Sequence, residues 1–222
     1  MHPSAHTIAM LLADARLPSG GYAFSSGLEP ALQAGMPPRE VGAYLRARAR
    51  TTTMVDAATA VVARCWGIRG EDYAPIERAW AARTPSRAAR TSSRELGRGL
   101  LRLATTLWPG SAPIARLTRS VGRSRPVVLG AVAAHAGIDA ETLVRLAVYD
   151  DMACAVAALL KLEPGDPIDG VRLVIEACAS VDTFTPQLAA LTSPEAIPAA
   201  SAPQSEAWAE AHAASNRRLF RA

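Results

Sequence analysis

The sequence predicts an all-α protein, and three observations carry that prediction. Half of the 222 residues are hydrophobic but only 5% are aromatic, so alanine, the residue best tolerated in a helix, supplies much of the apolar content. Apolar residues recur at spacings of three and four rather than in alternation. Gly and Pro fall between these periodic stretches, where helices stop. Together they predict one helical domain over residues 1–182, a bundle of roughly eight to ten helices, followed by a Pro/Ser/Ala-rich tail over 183–222.

A short helix is expected from Thr7 to Ala13. Pro18-Ser19-Gly20-Gly21 then bends the backbone, because Pro18 fixes one φ while Gly20 and Gly21 permit positive φ. After the bend, Tyr22 and Phe24 stand beside Ser25, Ser26 and Gly27, large groups next to residues small enough for close approach. Ser26-Gly27-Leu28-Glu29 has the spacing of a capping box for a helix running to Ala34. Pro30 leaves two alternatives open, a cap at Glu29 or one missing bond in the first turn. Gly35 and Pro37-Pro38 end this helix.

One long amphipathic helix is expected from Arg39 to Trp66, with Val41, Leu45, Met54, Ala58, Val61, Val62 and Cys65 along one side. Glu71 to Arg83 carries Tyr73, Ile76 and Trp80 at helical spacing. Ser86 to Leu107 continues in the same style, and Gly97 and Gly99 within it imply close helix packing. After Pro109-Gly110 come short helices over Ala112–Gly122 and Pro126–His135. Asp139 caps the most hydrophobic helix, Ala140–Leu162, the candidate for the centre of the bundle. Asp150 and Asp151 interrupt its apolar character, so one side is expected to meet solvent or a partner. Pro167 opens the last helix of the body, which runs to Val181.

From Thr183 to Pro203 the composition is that of a mobile segment with little to bury. Glu206 to Ala222 regains helical potential and holds Trp208, Leu219 and Phe220 beside Arg217, Arg218 and Arg221. Two readings follow. In one, Leu219 and Phe220 fill a partner's pocket while Arg218 and Arg221 pair with its acidic rim; in the other, the segment folds back onto the body. A Pro-rich tether favours the first. Arg145 and Tyr149, one helical turn apart, suit either a self-complementary contact between two copies or an internal tyrosine.

Charge is uneven. Up to Gly130 there are 18 Lys+Arg against 8 Asp+Glu, and beyond it 6 against 12, so the two parts carry +10 and −6. Lys161 is the only lysine, which leaves a basic surface of planar, bidentate donors. Cys65, Cys154 and Cys178 lie far apart on apolar stretches and read as reduced core residues. No apolar run reaches the roughly 20 residues that span a bilayer, and the N-terminus lacks the pattern of a secretory signal. His2, His6, His135 and His212 form no cluster with metal-ligand spacing. Gly20-Gly21 lacks the Gly-Lys-Ser/Thr ending of a P-loop, and neither Ser25 nor Ser26 sits in a nucleophile elbow. The chain is therefore not expected to be an enzyme.

The order Asp14, Leu17-Pro18, Gly20-Gly21-Tyr22, Gly27-Leu28-Glu29 resembles the signature of the urease accessory protein UreF family. Later segments are similar as well: Ser93-Arg94-Glu95 with Gly97, Pro126-Val127-Val128 with Gly130, Leu159 to Leu162 before the Pro-Gly turn, and Arg218-Leu219-Phe220-Arg221. Pro30 and the terminal Ala222 depart from the pattern. The resemblance implies a cytoplasmic, dimer-forming adaptor without catalytic activity or a tightly bound cofactor. It would bind UreD (also called UreH) and recruit the GTPase UreG to apo-urease, with GTP and Mg held by UreG and nickel passed through the complex. Partner contacts are expected at Tyr22, Ser26, Glu29, Arg218, Leu219, Phe220 and Arg221, and dimer contacts at Arg145 and Tyr149. Pro18, Gly20, Gly21 and Gly27 are expected to shape the turn. The alternative is a basic helical nucleic-acid-binding module, which lacks a recognition-helix motif or a series of stacking aromatics.

Overall fold

Small residues set how closely the central helices approach. In the computed structural model, which describes residues 3–117, 123–215 and 219–220, α4 (Thr52–Arg69) and α8 (Arg125–Ala136) pack face to face. Ala57, Ala60 and Ala63 of α4 and Ala131 and Ala133 of α8 are fully buried. A Cβ on Gly130 would lie 2.3 Å from the Ala60 carbonyl oxygen, so at that crossing the two backbones are in contact. Against this pair lies α9 (Ala140–Leu162), which also touches α1 (Ala5–Leu12), α2 (Leu28–Gln33), α3 (Val41–Ala49) and α10 (Pro167–Ala179). The long helix capped by Asp139 is thus central, as expected.

The remaining helices cover the sides. They are α5 (Ala74–Ala82), α6 (Arg87–Leu107), α7 (Ala112–Leu117), α11 (Thr185–Ala189) and α12 (Pro203–Ala213). The architecture is all-α, with no strand among the described residues. Among the described residues, ten α-helices, α1 to α10, fall within residues 1–182, as expected for the body, and α11 and α12 belong to the C-terminal segment. Side chains of Ser4, Ser86, Asp139 and Asp166 each accept a backbone N–H at the start of α1, α6, α9 and α10, satisfying donors that a helix start leaves open.

Four local expectations need correction. The stretch from Arg39 to Trp66 is two helices, broken at Arg50-Thr51, where Thr51 has ψ −96°. The break lets Arg48 at the end of α3 and Thr53 at the start of α4 reach one carboxylate, that of Asp151. The capping box at Ser26 is absent: Gly27, at φ +77°, precedes α2 and gives no side-chain cap. Gly97 and Gly99 admit loop backbone rather than another helix, since a Cβ there would lie 1.9 Å from the Arg123 carbonyl and 2.2 Å from the Ser19 carbonyl. Asp150 and Asp151 face inward and pair with Arg125 and Arg48.

The tail also differs from the expected mobile tether. Val181, Leu188 and Ile197 belong to the main core. Body side chains satisfy the segment's carbonyls: the Trp66 indole donates to Thr192 at 2.9 Å, and Arg83 donates to Ile197 at 2.7 Å and Glu195 at 3.0 Å. In α12 the Glu210 carboxylate accepts the Ser86 hydroxyl and the Ala88 N–H at the start of α6, and Trp208 packs beside Tyr44. Low apolar content understates such a segment because its order comes from donors carried by the body. Among the described residues, no helix is long and apolar enough to cross a membrane.

Candidate functional site

The turn after α1 is built from short local bonds and then fastened from below. Asp14 accepts the backbone N–H and the guanidinium of Arg16 at 2.7 to 3.2 Å, and these bonds with the arginine's charge hold its carboxyl down at about 2. Gly20 takes φ +89°, which opens a single 3₁₀ turn over Gly21–Ala23. Beneath it the Cys154 thiol lies 3.3 Å from the Gly21 carbonyl and 3.2 Å from that of Phe24, a donor to either. Burial pushes that thiol up to about 11, so it stays protonated and keeps its hydrogen to donate. Tyr22, at the crest, is 70% exposed.

Ser26 is the strained residue of the turn, the one described non-glycine with positive φ, at +51°. Its conformation is held by both ends: the Tyr44 hydroxyl donates to its carbonyl at 2.8 Å, and its own hydroxyl donates to Asp151 at 2.7 Å. The same carboxylate takes a bidentate pair from Arg48, at 2.8 and 3.0 Å, and the Thr53 hydroxyl at 2.5 Å. Burial pushes the Asp151 pKa up, but the charge and bonds of Arg48 with those of Thr53 and Ser26 outweigh it and leave it below the ordinary value. A carboxylate so surrounded stays ionised. One residue back, Asp150 pairs with Arg125 at 2.7 Å, while burial holds its carboxyl above the usual range.

These groups line a cavity of ≈ 330 Å³ bounded by the turn, α4, α6, α8, α9 and α12, with Arg48, Asp56, Trp80, Arg125 and Asp150 in its wall. Asp56 accepts the Trp80 indole N–H at 2.8 Å, yet burial raises its pKa to about 6. Among the described residues, no three of His, Cys, Asp and Glu converge as a metal site.

Glu29 is the second fastening. Only 1% exposed, its carboxylate accepts the Gln33 amide at 3.1 Å and the backbone N–H groups of Leu219 and Phe220 at 2.7 and 2.8 Å. His212 Nε2 lies 3.1 Å from the same group, an arrangement that places the proton on Nε2. The Phe220 ring is buried, with the Lys161 ammonium 5.3 Å from its centroid, a cation–π distance. Leu219 is 77% exposed.

The structure thus folds the C-terminal segment back onto the body at Glu29, the second of the two readings of it, with Phe220 buried in its own chain rather than left for a partner's pocket. Tyr22 and Leu219 face solvent; Glu29 and Phe220 face each other, and Ser26 is turned into the cavity wall. Arg218 and Arg221 lie outside the described residues. Arg145 and Tyr149 share an exposed part of α9, where Arg145 meets Glu141 at 3.0 Å and Asp182 at 3.9 Å. Sequence reasoning missed Arg48, Thr53, Asp151 and His212. The one signal was the Asp150-Asp151 pair in an apolar helix, since Arg48 is indistinguishable from Arg46 and Arg50 in sequence.

Comparison with known proteins adds an independent line. The family model described as UreF matches residues 37–178. A protein named urease accessory protein UreF from Mycobacterium marinum is 36% identical over 226 residues, covering 96% of this chain and 98% of that protein. Its namesake from Mycobacterium sp. (strain JLS) is 40% identical over 167 residues, 72% of this chain and 75% of that one. The Mycobacterium tuberculosis protein of the same name is 35% identical, covering 84% and 89%.

Proposed function

The chain belongs to the UreF family of urease accessory proteins, and from that premise we propose that it is a non-catalytic adaptor in urease maturation. It binds UreD (UreH), recruits the GTPase UreG, and supports GTP-dependent nickel delivery to apo-urease in the cytoplasm. The observation that supports this reading best is the fastened turn. Tyr22 is presented to solvent on a backbone whose strain at Ser26 is held by Tyr44, Arg48 and Asp151. Pre-organisation of an exposed aromatic on a rigid support lowers the ordering cost of docking, and aromatic anchors carry a large share of interface energy.

The second contact in this reading is the C-terminal segment. Leu219 is free to meet a partner while Phe220 and the Glu29 carboxylate set its position. UreD then meets the turn and the segment's end as one continuous surface, and UreG joins the pair.

Co-purification tests it. The full chain, a chain truncated after Pro203 and a Tyr22→Ala variant are each expressed with UreD from the same source, and UreG is added. The full chain should retain UreD and then capture UreG, while both altered chains retain at least tenfold less, about 1.4 kcal/mol. Loss of all binding by the full chain would sink the adaptor reading. Equal binding by the truncated chain would remove the C-terminal contact and leave the turn.

A further inference from the structure

The longest unused feature is the outer face of α6. Arg87, Thr91, Arg98, Arg102 and Thr106 are all exposed. They lie at spacings of four except for the seven residues between Thr91 and Arg98, where Arg94 fills the row, so they form a stripe about 30 Å long. Arg94 is half-buried inside the stripe and already engaged, 3.3 Å from Glu77 and over the Trp80 ring. Arg98 has only a loose contact, 3.9 Å from Glu95, and Arg102 makes no ion pair among the described residues. Two guanidinium groups one turn apart therefore stand available.

Beside them the turn closes a groove. The Ser19 carbonyl rests on Gly99 of α6, and the space left between the two elements is ≈ 540 Å³, with Pro18, Tyr22 and Phe24 on one wall and Arg102 and Leu103 on the other. Two charged groups line it, Arg102 and Glu95, the latter 3.9 Å from Arg98, so an acidic occupant would compete with Glu95 for that guanidinium. The mostly apolar remainder matches a short peptide better than a nucleic-acid backbone, whose phosphates would gain little from Pro18, Phe24 and Leu103. Spacing between Arg98 and Arg102 suits two carboxylates of one segment, each in a bidentate pair.

We propose that this groove is a docking site for an acidic segment of a protein partner, with an apolar side chain between Tyr22 and Leu103 and carboxylates on Arg98 and Arg102. The inference deepens the adaptor reading by assigning a chemistry to one partner surface, and it rests on that reading for its biological occupant. The occupant is recognised by charge complementarity and an apolar anchor, not by a fold.

The test needs no urease protein. A fluorescein-labelled peptide alternating Glu-Glu with Leu is titrated with the full chain and with the R98E/R102E variant, alongside a peptide with Lys in place of Glu and a thymidine oligonucleotide. The acidic peptide should bind with a dissociation constant below about 1 mM, and at least tenfold more weakly to R98E/R102E, whose melting temperature stays that of the parent. Tyr22→Ala should weaken the same peptide, because it removes the apolar wall and leaves both guanidinium groups. Equal binding of the acidic and Lys peptides, or binding untouched by charge reversal, overturns the proposal. So does tighter binding of the oligonucleotide through the same arginines, which would make the stripe a nucleic-acid surface. Peptide binding with failed UreD co-purification would remove the adaptor reading and keep the groove; the reverse result would remove the groove alone.

Discussion

Two aspartates on the cavity wall titrate in opposite senses. Asp56 is raised by burial to about 6 from an ordinary 3.8, although the Trp80 bond pulls it down; Arg48, Arg125 and Asp151 face it. A group whose folded pKa is raised contributes stability that is fully present below its unfolded value and is lost as pH rises through about 6. The loss is at most about 3 kcal/mol, from roughly two pKa units. Asp151, held below its ordinary value by Arg48, Thr53 and Ser26 against the effect of burial, contributes in the other direction, and its share disappears only in acid. Asp56→Asn removes the charge and keeps an acceptor for the indole, so it should raise the melting temperature at about pH 8 and make little difference near pH 4. Thermal melts of both proteins across that range check this, and a gap that does not change with pH would refute the assignment. None of this was legible in the sequence. Asp56 sits among alanines and threonines with nothing to mark it as buried, and Asp151 looked like a break in an apolar face because its partners lie 103 and 125 positions away.

At the scale of elements, the reading succeeded where local chemistry decides and failed where a distant element does. Asp139 as the cap of α9 and Pro167 at the start of α10 were visible because capping and φ preferences act within a turn. The break between α3 and α4 was not, since the apolar spacing runs on across it and its cause is the reach of Arg48 and Thr53 toward α9. The same holds for the C-terminal segment, whose carbonyls are satisfied by Trp66 and Arg83 of the body. Gly99 is the sharpest case of a residue flagged correctly for the wrong neighbour. A Cβ there would lie 2.2 Å from the Ser19 carbonyl oxygen, and backbone on both sides leaves no flexible side chain to yield. Gly99→Ala should therefore push the turn off α6 and cost about 1–3 kcal/mol despite the better helix propensity of alanine. Urea unfolding measures it; a more stable variant would mean that the turn is not seated on α6 in solution.

Over the whole molecule, the arginine-rich part and the acidic part present different surfaces, and the acidic part holds an apolar one. Ile168, Val171 and Ile175 project from α10 at helical spacing and are all exposed, with Asp169, Arg172 and Glu176 between and beside them. Arg145 reaches Asp182 just past the end of α10, so the exposed face of α9 that carries Arg145 and Tyr149 adjoins this stripe. A helix face that is apolar along its centre and carries both charge signs along its edges can meet a copy of itself about a two-fold axis, each acid opposite a base. Stable dimers bury about 800 Å² per partner, which calls for a longer face than two side chains one turn apart, and the exposed α10 stripe is an apolar face able to extend it. The proposed homodimer therefore centres on α10 with Arg145 and Tyr149 at its margin. Light scattering should find the chain dimeric at micromolar concentration and V171D/I175D monomeric, with the helical content of the variant unchanged because both side chains already face solvent. A parent chain that stays monomeric near 100 µM, or a variant that stays dimeric, would move the interface away from this face.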